Sequence, residues 1–161
     1  MENVMKNIQW KPLIRNLIFS LATGSVSTML SGNLMEKYES IYKPPLSPPA
    51  WGFPVVWFIW YIMMGIAAYL IYVSENANAK AALKLYAAQL ALSAIWPILF
   101  FRFELYLLAF TWLLLLWYLV FLTHIEFRKI HPYAGKLLLP YLIWLFFAGY
   151  LNLATAVYYK M

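Results

Sequence analysis

Five stretches of mainly apolar residues, each long enough to cross a bilayer as a helix, dominate this sequence. A membrane-spanning helix needs about 20 such residues. The stretches cover residues 12–32, 53–73, 80–101, 105–125 and 134–159. Only 11% of the chain is charged, against about 25% in a soluble domain. The sequence therefore predicts an all-α integral membrane protein: one domain over residues 1–161, built as a bundle of five transmembrane helices.

The first stretch admits two interpretations. Basic residues followed by "LIFSLATGSVS" are typical of a cleaved secretory signal peptide. Small residues at every fourth position instead favour a retained helix with one face suited to close packing. These residues are Ser20, Gly24, Thr28 and Gly32. We favour the retained helix.

The connections between the stretches differ in length and stiffness. "SENANA", "RFE" and "EFRKIHPY" are short links, which predict antiparallel neighbouring helices. The exception is "EKYESIYKPPLSPPAWG", residues 36–52. Proline fixes φ and restricts the residue before it, so this loop is stiffened by its own covalent chemistry. We expect it to form a lid over one end of the bundle.

The basic residues predict the orientation. Eight Lys and Arg fall on the side of the N-terminus, and four fall on the side of the proline-rich loop. The eight are Lys6, Lys11, Arg15, Lys80, Lys84, Arg128, Lys129 and Lys136. Since basic loops stay on the cytoplasmic side, we expect the N-terminus inside and the lid outside.

Three stripes of aromatic and polar residues occur at helical spacing. They are Trp57, Tyr61, Met64 and Ala68; Gln89, Ser93 and Trp96; and Tyr141, Trp144, Ala148, Asn152 and Thr155. Polar groups facing lipid are costly, so these stripes should point into the bundle. They either form packing seams or together line an aromatic pocket for a flat apolar ligand beneath the lid.

The sequence lacks the residues that several functional classes need. There is no cysteine, which excludes disulfides and thiol chemistry. His124 and His131 form no cluster with metal-ligand spacing, so no metal site is predicted. The carboxylates lie at the ends of the stretches, and no buried acid pair is expected. The net charge of +6 is explained by topology and not by nucleic-acid binding.

Four blocks of the sequence together resemble one protein family. They are "KPPLSPPAW", "PVVWFIWYIMMG", "LYAAQLALSAIWPILFF" and "LLLPYLIWLFFAGYLNL". Their order and spacing are similar to those of the translocator protein family, also called the TspO, tryptophan-rich sensory protein or peripheral-type benzodiazepine receptor family. The resemblance implies a five-helix bundle that binds porphyrins, isoquinoline carboxamides and benzodiazepine-type ligands under the first loop. Mitochondrial members also bind cholesterol.

The same resemblance implies roles for particular residues. Trp57 and Trp144 correspond to two pocket tryptophans implicated, in some bacterial members, in the light- and oxygen-dependent degradation of protoporphyrin IX. The other positions implied at the lid or pocket are Tyr38, Pro48, Pro49, Trp51, Tyr61, Gln89, Ser93, Trp96, Ala148 and Asn152. No covalently bound cofactor is implied, and protoporphyrin IX would be a ligand or substrate.

The sequence departs from the family pattern in three places. Ser93 stands where the family often has Asn, and Leu108 and Trp112 replace the usual Trp and Asp pattern of helix four. The tyrosine of the mitochondrial sterol motif corresponds to Leu153, which argues against tight cholesterol binding. A loose sterol pattern remains beside it, in Val157, Tyr158 and Lys160.

Three functions stay open at this stage. The first is a bacterial membrane protein that binds or senses tetrapyrroles, the second is an enzyme that degrades protoporphyrin IX in light, and the third is a porphyrin or sterol transporter. A homodimer is also expected to be possible. It would form through the small-residue face of the first stretch, or through the face containing Ala87, Ala91 and Ala94.

Overall fold

The computed structural model describes residues 8–160, and of Lys160 only the backbone. Within that range the chain forms six α-helices and one π-helical turn. The helices are α1 (Trp10–Ser31), α2 (Leu34–Ser40), α3 (Gly52–Tyr72), α4 (Ala79–Pro97), α5 (Tyr106–Ile130) and α6 (Pro132–Lys160). The π-turn, Ile98–Arg102, continues α4. Lys6, counted above for the orientation, lies outside the described residues, as does the side chain of Lys160.

Five of these helices are long and apolar enough to cross a membrane. They are α1, α3, α4 with its π-turn, α5 and α6. The sequence prediction of an all-α, five-helix membrane bundle is thereby confirmed, and the chain is a multi-pass integral membrane protein. Helix α2 is too short to cross and lies in the connection between α1 and α3.

The element boundaries differ from the prediction at two connections. Residues 36–40, expected in the lid loop, belong to α2, which begins with Asn33 accepting a hydrogen bond from the Glu36 amide. Residues 126–130, expected in the link after helix four, extend α5. Only the extended His131 separates α5 from α6. Pro132 then begins α6, at the position where a missing amide hydrogen costs least.

The small residues of α1 pack inside the bundle. Ser20 and Gly24 are buried as the stripe required, but Thr28 and Gly32 are exposed, and Ser27 and Ser31 are buried in their place. A strict four-residue spacing drifts around a helix of 3.6 residues per turn, so the buried face follows steps of three and four. A Cβ at Gly24 would lie 2.5 Å from the Tyr61 ring, which shows how closely α1 approaches α3.

The helices α5 and α6 form a tight antiparallel pair. A Cβ at Gly135 would lie 2.8 Å from the Arg128 Cα, so glycine lets the two backbones meet. Beside this contact His124 is buried, with its Nδ1 2.8 Å from the Gly135 carbonyl oxygen. His124 therefore lies inside α5, within the fourth predicted stretch, and ties the two helices together.

Candidate functional site

Aromatic rings fill the centre of the bundle. The Trp57 ring stacks on Trp96 at a centroid distance of 5.7 Å and packs against Tyr61 and Tyr141 at 6.1 Å each. Phe53 lies above them and contacts both tryptophan rings. Each ring comes from a stripe or aromatic run on α3, α4 or α6, and together they form a continuous stack in the membrane interior.

A polar group of four side chains, Tyr61, Ser93, Tyr141 and Gln89, lies beneath this stack. Ser93 Oγ is 3.1 Å from the Tyr61 hydroxyl and 3.4 Å from the Tyr141 hydroxyl, so one small residue serves two phenols. This gives Ser93, a departure from the family pattern, a clear structural role. Gln89 donates weakly to the Met64 sulfur, and its Oε1 has no hydrogen-bond partner among the described residues.

A cavity of about 30 Å³ lies between the lid and the bundle. Five of the implied pocket residues line it: Tyr38, Trp96, Trp144, Ala148 and Asn152. Residues that the sequence analysis did not single out complete the wall, among them Tyr42, Lys43, Phe53, Phe100 and Phe101. This cavity, called the lid cavity below, has room for roughly one water molecule.

The π-turn explains two of the unexpected wall residues. Pro97 has no amide hydrogen, and after it the Phe103 amide bonds to the Ile98 carbonyl five residues earlier. The wider turn places Phe100 and Phe101 in contact with the Trp96 ring and with the cavity. The aromatic run "LFFRF" was visible in the sequence, but its register in a π-turn was not.

Asn152 is the main polar anchor of the cavity wall. Its Oδ1 accepts from the Trp96 indole at 3.0 Å, and its Nδ2 donates to the Tyr106 carbonyl at 2.8 Å. The side chain is almost completely buried. One residue on α6 thereby holds the indole from α4 and the first turn of α5 in fixed positions.

The two tryptophans implicated by the resemblance occupy different places. Trp144 lines the lid cavity, whereas Trp57 lines a separate groove between α1 and α3. Within the described residues neither indole Nε1 has a hydrogen-bond partner, although both atoms are buried. Buried donors are nearly always paired, so two unpaired indoles are unusual features of the site.

The lid is fastened to the far end of α6. The Tyr42 ring stacks on Tyr158 at 4.0 Å and nearly parallel, and the Tyr42 amide donates to the Tyr159 hydroxyl. Tyr150 donates to the Pro45 carbonyl at 3.2 Å. Tyr158 of the loose sterol pattern therefore contacts the lid. Val157 and Leu153 are both exposed on the outer surface.

Polar contacts also hold the lid from within and from the side. The Tyr38 hydroxyl donates to the Pro48 carbonyl at 2.6 Å, and Lys37 forms an exposed salt bridge with Glu104. Burial raises the pKa of Tyr38 above its ordinary value of 10.0, so the phenol stays protonated and remains a donor at neutral pH. Lys43 lies over the Tyr38 ring at the cavity edge.

The remaining implied residues lie outside the cavity wall. Pro48, Pro49 and Trp51 form the outer part of the lid, where Trp51 is 66% exposed. Tyr61, Gln89 and Ser93 lie deeper, in the stack and the polar group beneath it. Across the described residues no group of three or more potential metal ligands comes together.

Substituting Tyr38→Phe is expected to loosen the lid. The change keeps the ring but removes the bond to Pro48, worth about 1 kcal/mol, so the lid should open about fivefold more often. Hydrogen exchange at the Tyr42 amide, which donates to the Tyr159 hydroxyl across the contact between lid and α6, reports this opening. Tyr118→Phe, an exposed tyrosine on α5, is the control. Equal exchange in both variants would show that the Tyr38 bond does not hold the lid.

Comparisons with known proteins place the chain among its relatives. The model of the TspO/MBR family matches residues 16–158. The chain is similar to the translocator protein of Ovis aries, with 37% identity over 147 residues that cover 89% of this chain and 87% of that protein. It is also similar to the tryptophan-rich sensory protein of Cereibacter sphaeroides, with 32% identity over 146 residues, 91% of this chain and 90% of that protein.

Proposed function

The chain belongs to the TspO/MBR family, and from that premise we propose that it binds protoporphyrin IX in the membrane as a tetrapyrrole binder or sensor. Related flat apolar molecules, such as isoquinoline carboxamides, would share the site. The observation that carries the proposal is the lid cavity, which is walled by aromatic rings, Trp96 and Trp144 among them.

The chemistry of the cavity wall suits this ligand class. Phe53, Trp96 and Phe100 offer ring surfaces to a flat macrocycle, and aromatic pairs contribute beyond the area they bury. Lys43 lies at the edge of the same cavity. Protoporphyrin IX carries two carboxylates on one side of an apolar ring system, so a cation at the mouth above an aromatic interior matches its polarity.

The size of the cavity sets a condition on binding. Ligand pockets usually measure about 300–1,000 Å³, and the lid cavity measures about 30 Å³. A macrocycle fits this space only if the lid or the rings that line the cavity move. The contacts that hold the lid are few: a tyrosine stack, several hydrogen bonds and one exposed salt bridge.

Light-dependent degradation of the porphyrin is the second candidate function. Molecular oxygen would be the oxidant and the photoexcited porphyrin the molecule oxidised, with both oxygen atoms adding to one double bond of the macrocycle. An electron passed by an indole to the excited porphyrin would return to that indole, so no external reductant is needed. Trp144 lines the lid cavity directly, and Trp57 stacks on Trp96, whose ring also lines it. Trp57 and Trp144 are therefore both connected to the ligand site, which favours this candidate. No acid or base is needed for such a reaction.

One titration in darkness and in light tests both candidates. Protoporphyrin IX absorbance and fluorescence would be followed with the wild type and with the double variant Trp57→Phe/Trp144→Phe. We expect saturable binding by both proteins, weaker in the variant because Trp144 lines the cavity. A discrete product that depends on the tryptophans would establish the enzyme. A lack of saturable binding by the wild type would overturn the tetrapyrrole assignment.

We also propose the orientation, membrane and assembly expected from the sequence: N-terminus inside, a bacterial cell membrane, and a homodimer. The antiparallel helices place the basic residues at the start of α1 and α4 on the same side as those around His131, which supports the orientation. Ala87 and Ala91 are exposed on α4, where a second subunit could pack closely.

A further inference from the structure

A groove of about 590 Å³ opens on the outer surface between α1 and α3. The two helices meet closely at Gly24 and Tyr61 and separate toward the lid, where Thr28 and Phe58 form the sides. Both sides belong to membrane-spanning segments. The groove therefore faces the hydrocarbon interior of the bilayer, and its volume falls within the range of small-molecule sites.

The groove presents an apolar wall in spite of its hydroxyl groups. Ser25 and Thr28 donate to carbonyls four residues earlier in α1, and Ser27 donates to the Ala94 carbonyl at 2.6 Å. Their donors are thus already used. The exception is Trp57, whose ring lines the groove and whose buried Nε1 has no partner among the described residues.

One residue belongs to both the groove and the lid cavity. Phe53 lines the two spaces, and its ring contacts Trp57 on the groove side and Trp96 on the cavity side. Phe53 is the first large side chain of α3, directly after Gly52. Rotation or displacement of this one ring would join the two spaces into a single passage under the lid.

We propose that the α1–α3 groove is a second binding site, at which the flat apolar ligand docks from the lipid phase before it passes Phe53 into the lid cavity. This inference rests on the proposed function and concerns the route by which the ligand arrives. An apolar macrocycle partitions into the bilayer, so its local concentration is highest where the groove opens. Trp57 supplies a ring surface at that point.

The test measures binding rates and equilibrium affinity separately. The protein would be placed in lipid nanodiscs, protoporphyrin IX would be added to the lipid, and stopped-flow fluorescence would follow binding and release. Thr28→Phe narrows the groove. Val26→Phe adds nearly the same volume to an exposed position of α1 outside the groove and is the control. Phe53→Leu reduces the partition between the groove and the cavity.

We expect Thr28→Phe to slow association and release by the same factor, about tenfold, because it obstructs a route and leaves the lid cavity unchanged. Phe53→Leu should accelerate both, and Val26→Phe should match the wild type. Saturable binding with unchanged rates in Thr28→Phe would overturn the proposal that the groove is a binding site and would leave the proposed function intact. If the wild type shows no saturable binding, both proposals fail.

Faster exchange in the loosened variant Tyr38→Phe, combined with wild-type rates in Thr28→Phe, would identify the lid as the entrance and would likewise overturn the groove. If Phe53→Leu does not fold, the comparison of Thr28→Phe with Val26→Phe still decides the question, since neither residue belongs to the aromatic stack.

Discussion

The substitution Gly135→Leu is expected to destabilise the bundle more than any other single change considered for this protein. A Cβ at this position would lie 2.6 Å from the Arg128 Cβ and 2.8 Å from its Cα. The obstacle is backbone and cannot rotate away, so α5 and α6 must separate. Overpacking of this kind costs about 3 kcal/mol. The bond between His124 and the Gly135 carbonyl would be strained as well.

Thermal unfolding in detergent, followed by tryptophan fluorescence, measures the effect. We expect the midpoint to fall by roughly 5–10 °C. Gly149→Ala is the matched control, since Gly149 is also buried in α6 but a Cβ there would meet Leu113 at an ordinary 3.7 Å. That variant should be as stable as the wild type or slightly more stable, because alanine favours helix. Equal midpoints in the two variants would contradict the close approach of α5 and α6.

Asn152→Leu is expected to reduce both stability and ligand affinity. The change leaves the Trp96 indole without a partner inside the bundle. It also removes a second hydrogen bond to the Tyr106 carbonyl, which as the first carbonyl of α5 accepts within its own helix as well. An unpaired buried polar group costs about 1–3 kcal/mol, so a loss of about 2 kcal/mol in the free energy of unfolding is expected. Because Trp96 forms part of the cavity wall, its release should also weaken protoporphyrin IX binding about tenfold.

Thr155→Val is the control that separates the loss of the Asn152 hydrogen bonds from a mere change of a residue in the cavity wall. Thr155 lines the same cavity, but its hydroxyl donates to the Leu151 carbonyl of its own helix. Valine keeps the shape of threonine, and removing a bond within one helix leaves α4 and α5 in place. We expect small changes in midpoint and affinity, measured by unfolding and by fluorescence titration. Similar losses in Asn152→Leu and Thr155→Val would show that Asn152 is not a special anchor.

The parts of the site that follow helical periodicity could be predicted from the sequence. Trp96 and Asn152 were expected to point into the bundle, and they are joined there by a hydrogen bond. The five spans were predicted because burial in lipid demands long apolar runs. The family resemblance is confirmed by the match over residues 16–158.

Other parts depend on contacts that periodicity does not encode. The π-turn that turns Phe100 and Phe101 to the cavity depends on how the chain continues after Pro97. The stacking of Tyr42 on Tyr158 joins a loop to a distant helix. A stripe of residues also gives no information on volume, so the near-complete filling of the lid cavity by aromatic rings was not predictable.

The attachment of the lid to α6 has a consequence for how the protein is made. Tyr42 leaves the ribosome early, yet its partner hydroxyl on Tyr159 lies 117 residues later. During synthesis α1 to α5 can insert and begin to pack while the lid still has no surface to close on. The site is therefore assembled last, when the end of α6 reaches the lid side of the membrane. Until then the aromatic interior stays open at that end.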